Sequence, residues 1–153
     1  KTAIFKPKID NRYSTEEIVS HNNRKIKSYI IEKPIEILDK IGDAEVIGID
    51  EAQFFDETII PVVRELASKN KRIILAGLEK DFMMNPFGPM PALMVEAEYV
   101  TKVLAICVVC GNPANFSFRT SSESSQILVG ETDKYEARCR SCFNKNGESK
   151  WIL

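Results

Sequence analysis

Four cysteines in two tight pairs are the residues of this chain best suited to hold a metal ion. The pairs are Cys107-Val-Val-Cys110 and Cys139-Arg-Ser-Cys142, separated by residues 111–138. Two C-x2-C turns brought together supply the tetrahedral set of four sulfurs that Zn²⁺ prefers. A redox-active cysteine pair is the alternative. Four cysteine ligands leave no open coordination position, so the predicted zinc is structural rather than catalytic.

Two neighbouring carboxylates follow a short apolar run. The run Val46–Ile49 is typical of a buried parallel strand, and Asp50 and Glu51 come directly after it. Ligands of open α/β sheets bind at the carboxyl ends of the strands. There Asp50 could hold Mg²⁺ and Glu51 could accept a proton from a nucleophile. Two solvated acids at a strand end are the alternative, but the aromatic pair Phe54-Phe55 offers a stacking surface and favours the functional interpretation.

The carboxylates and the cysteines lie in two kinds of predicted structure. Up to Ile106, apolar runs alternate with segments of helical period, which indicates an α/β core with a parallel sheet. From Cys107 onward the segments are short and alternating. We therefore predict a core over residues 1–106 and a zinc-binding β module over residues 107–153.

The individual elements follow from the same patterns. Predicted strands of the core are 2–6, 28–31, 46–49, 72–78 and 99–106. Predicted helices begin at Pro34 and cover 57–69 and 91–97. Residues 10–27 and 81–91 are predicted as loops, and the β segments of the module as 115–120, 126–129 and 135–139.

Composition and charge narrow the possible function classes. The 153 residues carry a formal net charge of −1, so no basic field indicates a nucleic acid or a membrane surface as partner. No apolar run approaches the ~20 residues that span a bilayer. Paired cysteines without a recognisable secretory signal predict a reducing, cytoplasmic compartment.

Several motifs, in order from Ala3 to about Cys142, resemble the zinc-containing (type II) thymidine kinases. They are Phe5-Lys6-Pro7-Lys8-Ile9-Asp10-Asn11-Arg12-Tyr13, Val19-Ser20-His21, Gly48-Ile49-Asp50-Glu51-Ala52-Gln53-Phe54-Phe55, Ala76-Gly77-Leu78, Asp81-Phe82, Pro86-Phe87-Gly88-Pro89, Ala105-Ile106-Cys107-Val108-Val109-Cys110-Gly111, Tyr135 and Cys139-Arg140-Ser141-Cys142. The resemblance implies an α/β fold with a parallel sheet of the P-loop kinase kind and a small zinc-ribbon-like β module. It also implies transfer of the γ-phosphoryl group of ATP, bound with Mg²⁺, to the 5′-hydroxyl of thymidine.

The resemblance also implies roles for individual residues. By position, Glu51 is the general base, Asp50 is the Mg²⁺-associated carboxylate, and Asp10 and Arg12 lie near the transferring phosphoryl group. The implied nucleoside-binding residues are Phe54, Leu78, Phe82, Phe87, Ser117, Gly130 and Tyr135, of which Gly130 and Tyr135 belong to a loop that covers the nucleoside. A homotetramer and feedback inhibition by thymidine triphosphate are implied as well.

The chain departs from the family pattern at three places. Glu79 stands where the family usually has Asp, and Ser117 where it often has Thr, which leaves discrimination between thymidine and deoxyuridine open. No G-x-x-x-x-G-K-[ST] phosphate-binding loop occurs in the 153 residues. We therefore expect the parent protein to extend upstream of Lys1 by a strand, that loop and a helix, and expect the 153 residues alone to fold poorly and to lack kinase activity.

Other interpretations stay open at this point. An ATPase would use Glu51 to activate water, and a zinc-ribbon module would bind nucleic acid instead of a nucleoside. His21, the only histidine, is interpreted as a hydrogen-bonding loop residue rather than a base. Phe82 and Phe87 lie among methionines, glycine and prolines, so they line a pocket or, alternatively, belong to the core.

Overall fold

A computed structural model describes residues 1–8, 17–19, 25–120 and 134–145. The chain forms two compact units. The first unit contains Lys1–Glu79 and Pro86–Glu98, and the second contains Lys80–Asn85 and the described residues from Tyr99 onward. The predicted domain boundary at Ile106 stays a prediction.

A four-stranded parallel sheet forms the centre of the first unit. Its strands are β1 (Thr2–Pro7), β4 (Tyr29–Ile31), β5 (Val46–Ile49) and β6 (Arg72–Leu75), in the order β4-β1-β5-β6. The short strands β2 (Glu17–Val19) and β3 (Lys25–Lys27) form a separate antiparallel pair. The predicted α/β class with a parallel sheet is therefore confirmed.

Among the residues that the structure describes, three helices accompany this sheet: α1 (Glu36–Lys40), α2 (Ile59–Ser68) and α3 (Met90–Glu96). The apolar period of α2 buries one face of the helix, and Leu66 on that face is fully buried. On β1 and β5 alternate side chains are buried, including Phe5 and Ile47, so one face of these strands belongs to the same apolar core. This packing fixes the end of β5, where the two carboxylates follow.

Three of the predicted elements of the core are wrong in part. The strand predicted over 72–78 ends at Leu75 and is half-exposed, because β6 is the last strand of the sheet in the described part of the chain. Of the strand predicted over 99–106, only Ala105–Ile106 pairs; Tyr99 is 93% exposed. The predicted loop 10–27 contains β2 and β3 in its described residues.

In its described residues, the second unit contains four short strands and one helix. The antiparallel pairs are β7 (Ala105–Ile106) with β8 (Pro113–Ala114) and β9 (Phe116–Arg119) with β10 (Tyr135–Arg138). Helix α4 (Arg140–Lys145) follows, although the sequence analysis predicts only strands here. The predicted segment 126–129 lies outside the described residues. Among the described helices, none has the length and hydropathy to cross a membrane.

Candidate active site and metal site

The backbone turns sharply where β5 ends. The Asp50 amide donates to the carbonyl of Phe5 (2.9 Å), and the Ala52 amide donates to the carbonyl of Ala76 (3.0 Å). These two bonds hold the backbone on either side of Glu51, which lies in the left-handed region (φ 52°, ψ 40°). An ordinary side chain rarely adopts this conformation, and it persists only where the surrounding structure determines it. Backbone strain is therefore located at the residue predicted to be the base.

The two carboxylates occupy consecutive positions at the carboxyl end of a central strand. One carboxylate oxygen of Asp50 accepts the Glu51 amide at 3.0 Å. The Glu51 side chain is exposed, and one of its oxygens accepts a hydrogen bond from Nε2 of Gln53 at 2.6 Å. Gln53 belongs to a short 3₁₀ turn, Ala52–Phe54, and is buried. A fixed, solvent-accessible carboxylate of this kind can accept a proton from a bound hydroxyl.

Three predicted nucleoside-binding residues belong to the first unit. Phe54 is half-buried and meets the buried Phe87 edge to face, with ring centroids 5.4 Å apart and an interplanar angle of 82°. Leu78 is 50% exposed, and its amide donates to Oε1 of Gln53 at 3.1 Å. The aromatic pair therefore forms a firm apolar surface, and Phe54 follows the two carboxylates closely in sequence.

Three further predicted residues belong to the second unit. Phe82 is half-buried, and the guanidinium carbon of Arg119 lies 3.5 Å from its ring centroid. Arg119 is buried, donates a hydrogen bond to the Tyr135 hydroxyl and lies 5.0 Å from the Tyr135 ring centroid. Ser117 is on β9, opposite Ala137 of β10. One arginine thus holds two of these aromatic side chains together.

A buried aspartate shapes the loop that carries Phe82. A carboxylate oxygen of Asp81 accepts the amides of Met83 and Asn85, both at 2.9 Å, and the Asp81 amide donates to the Asn85 carbonyl. The loop 81–85 is therefore fixed by one side chain, as in other turns built around aspartate.

The four cysteines form one cluster. None of the four forms a disulfide, and their sulfurs lie within 4.8 Å of one another. Cys107, Cys139 and Cys142 are buried, and Cys110 is exposed. The sulfurs of Cys110 and Cys139 are 3.6 Å apart. Sulfurs bound to one tetrahedral zinc at ~2.3 Å are roughly 3.8 Å apart, whereas a disulfide requires about 2.05 Å. The donor set and its spacing therefore fit a metal such as zinc.

Two of these thiols have pKa values that are shifted in opposite directions. Hydrogen bonding from the Cys139 backbone lowers the pKa of Cys107 to about 6. Hydrogen bonding with the Cys110 sulfur, together with burial, raises the pKa of Cys142 to about 12. Four sulfurs this close cannot all become thiolates without a compensating cation. A divalent metal ion supplies that charge and deprotonates its thiol ligands.

Four residues discussed in the sequence analysis cannot be located, and two residues that contact the site were not predicted. Asp10, Arg12, His21 and Gly130 lie outside the described residues. Gln53 and Arg119 were not predicted as site residues. The position of Gln53 within the Asp50–Phe55 motif was an available signal, whereas Arg119 had none.

The comparisons with known proteins all identify thymidine kinases as similar to this chain. A family model described as thymidine kinase matches residues 1–143. The chain is 47% identical over 143 residues to a thymidine kinase of Rhodothermus sp. (strain ITI 518), covering 94% of this chain and 67% of the relative. It is 51% identical over 143 residues to a thymidine kinase of Bacteroides thetaiotaomicron, covering 94% of this chain and 72% of the relative. It is 49% identical over 145 residues to one of Bacteroides fragilis, covering 95% and 73%.

Proposed function

The chain belongs to the thymidine kinase family, and we propose on this premise that it transfers the γ-phosphoryl group of ATP to the 5′-hydroxyl of thymidine. The observation that best supports the reaction is the strained turn at Glu51. It presents an exposed carboxylate at the end of a central parallel strand, where the ligands of such sheets bind.

In the proposed reaction Glu51 is the general base. Its carboxylate takes the proton of the 5′-hydroxyl while that oxygen forms a bond to the γ-phosphorus. The bond between the γ-phosphorus and the oxygen bridging to the β-phosphate breaks, and ADP leaves with the electron pair. Asp50, which is the preceding residue, would hold Mg²⁺, an ion that neutralises charge on the phosphate oxygens when bound. Asp10 and Arg12 are proposed to lie near the transferring group.

The nucleoside is proposed to contact both aromatic and small side chains. Phe54 and Phe87 offer the edge-to-face pair described above, and Leu78 is the exposed aliphatic side chain that follows β6. The family resemblance carries the same role to Phe82, Ser117, Gly130 and Tyr135. Among these, Phe82 and Tyr135 are held by Arg119 and so present fixed surfaces.

The metal in the cysteine cluster is proposed to be Zn²⁺ with a structural role. Cys107, Cys110, Cys139 and Cys142 supply four sulfur ligands, and tetrahedral sulfur coordination is the usual form of structural zinc sites. A cytoplasmic location and assembly as a homotetramer are proposed from the family resemblance alone.

Thymidine triphosphate is proposed as a feedback inhibitor. Its base would fill the thymidine site while its phosphates extend toward the ATP phosphates. We expect inhibition competitive with thymidine in steady-state kinetics. Purely non-competitive inhibition against thymidine would contradict this proposal.

The thymidine dependence of ATP turnover tests the proposed function. With Mg²⁺ and ATP, the full-length gene product should release ADP in step with the formation of thymidine monophosphate. ADP release at the same rate without thymidine would indicate an ATPase. If neither reaction occurs and the protein instead binds DNA with a strongly salt-dependent affinity, a nucleic-acid-binding zinc module is the better interpretation.

A further inference from the structure

Gln53 is a polar side chain enclosed in the first unit, only 2% exposed. Both ends of its amide are used. Nε2 donates to a carboxylate oxygen of Glu51 at 2.6 Å, and Oε1 accepts the amide of Leu78 at 3.1 Å. A buried amide usually satisfies its donor on a backbone carbonyl, on another buried group or on ordered water. Here the donor is directed to an exposed carboxylate instead.

Two glycines make room for this residue. A Cβ at Gly77 would lie 2.6 Å from Oε1 of Gln53 and 2.9 Å from the sulfur of Met90. A Cβ at Gly88, where φ is +49°, would lie 2.2 Å from the backbone oxygen of Gln53. Both distances are too short for a carbon at these positions, so the segment after β6 and the loop before α3 enclose Gln53 on two sides. Gly77 lies against the side-chain amide of Gln53 and Gly88 lies against its backbone, so both parts of the residue are closely confined.

Glu51 by itself has no such restriction. Its side chain is exposed, and a free glutamate side chain samples many rotamers, so holding it in one of them has an entropic cost. A base must lie within hydrogen-bond reach of the proton that it takes, and small misplacements reduce turnover strongly. The enclosed Gln53 amide supplies the missing restraint.

We propose that Gln53 is a positioning residue for Glu51, coupling the orientation of the base to the backbone at Leu78. The proposal rests on the proposed role of Glu51. Because Gln53 is enclosed, its Nε2 holds the Glu51 carboxylate in one orientation. Its Oε1 accepts the backbone amide of Leu78, which is itself a proposed nucleoside contact. The base and one nucleoside contact are thereby fixed relative to one another.

The test uses Gln53→Met in the full-length gene product. Methionine keeps the approximate length of the side chain and removes both hydrogen bonds to Glu51 and Leu78. We expect kcat to fall about 10- to 100-fold while the KM for thymidine changes by less than about three-fold. Ile37→Val, which removes one buried methyl group of α1, is the control for a general loss of stability and should retain kcat.

A double-substitution cycle separates positioning from a merely structural role. If Gln53 acts through Glu51, Gln53→Met should change kcat by less than about two-fold when Glu51→Gln is already present. An equal loss of kcat in both backgrounds would overturn the proposal. If Glu51→Gln alone retains turnover, the base assignment fails. If Glu51→Gln reduces turnover but Gln53→Met does not, only the positioning role fails.

Gln53→Glu provides a second variant if methionine prevents folding. It keeps an oxygen that can accept the Leu78 amide and places a second carboxylate against Glu51. We expect at least a 10-fold loss of kcat at pH 8, again absent in the Glu51→Gln background. Unchanged kcat in Gln53→Glu would overturn the proposal.

Discussion

The first unit buries aliphatic and aromatic side chains from β1, β5 and α2 around its sheet, whereas the buried cluster of the second unit consists of Cys107, Ala114, Cys139 and Cys142. Burial of apolar area supplies the first with its main source of stability. The second unit has little apolar area in its cluster, so the proposed structural metal would be an important source of its stability. The proposed base belongs to the first unit, whose apolar core does not include the four cysteines.

The two units also use charged side chains differently. In the second unit, guanidinium groups lie on aromatic faces: Arg119 is 3.5 Å from the Phe82 centroid, and Arg138 is 3.5 Å from the Phe118 centroid. In the first unit, ion pairs such as Lys69 with Glu65 are exposed and contribute little. The second unit therefore combines a four-cysteine cluster with cation–π contacts, whereas the first relies on close apolar packing.

The largest expected effect comes from Cys139→Ser. Structural zinc binding contributes about 10–16 kcal/mol to small zinc-dependent folds. We expect the variant to lose zinc, measured by metal analysis, and to lose amide-exchange protection in the second unit while β1, β5 and α2 keep theirs. Thymidine affinity should fall, because Ser117 and Tyr135 belong to the second unit.

Ser141→Ala is the matched control, since residue 141 lies between the two cysteines of the same motif. It should retain zinc and exchange protection. A Cys139→Ser protein that has no metal but keeps its exchange protection and thymidine affinity would contradict the claim that metal binding stabilises the second unit.

A smaller effect is expected from Leu66→Ala in the first unit. Leu66 is fully buried on α2, and truncation of such a residue costs about 2–5 kcal/mol. Denaturant unfolding should show this loss, with zinc content unchanged. Leu66→Met, which conserves volume, should cost less than about 1.5 kcal/mol. Loss of zinc in Leu66→Ala would show that the two units do not unfold separately.

The smallest of these effects is expected from Arg119→Met. A cation–π contact on Phe82 contributes about 0.5–2 kcal/mol, and a double-substitution cycle with Phe82→Leu should return a coupling free energy of that size. Arg72→Met, on the exposed side of β6, is the control and should cost less than about 0.5 kcal/mol. A coupling near zero would show that the contact does not stabilise the second unit.

The sequence predicted those elements whose formation depends on a local pattern of residues. The apolar run before Asp50 and the helical period through Leu66 are local signals, and both elements form where expected. The predicted strand 99–106 failed because a strand needs a pairing partner, and β-forming residues alone do not supply one. The cysteine cluster was predictable because ligand spacing is itself a local pattern.

The geometry of the candidate site could not be predicted in the same way. The left-handed backbone at Glu51 results from hydrogen bonds to Phe5 and Ala76, which are distant in sequence. The stacking of Arg119 on Phe82 likewise joins residues far apart along the chain. Such contacts depend on how the whole unit packs, so local sequence patterns do not predict them.

The most direct test of the account is the separation of thymidine binding from turnover in Glu51→Gln. In the full-length gene product, thymidine affinity measured by calorimetry should stay within a few-fold of the wild-type value. The rate of thymidine monophosphate formation should fall about 10²–10⁴-fold, the usual effect of losing a general base. Near-normal turnover in the variant would contradict the assignment of Glu51 as the base.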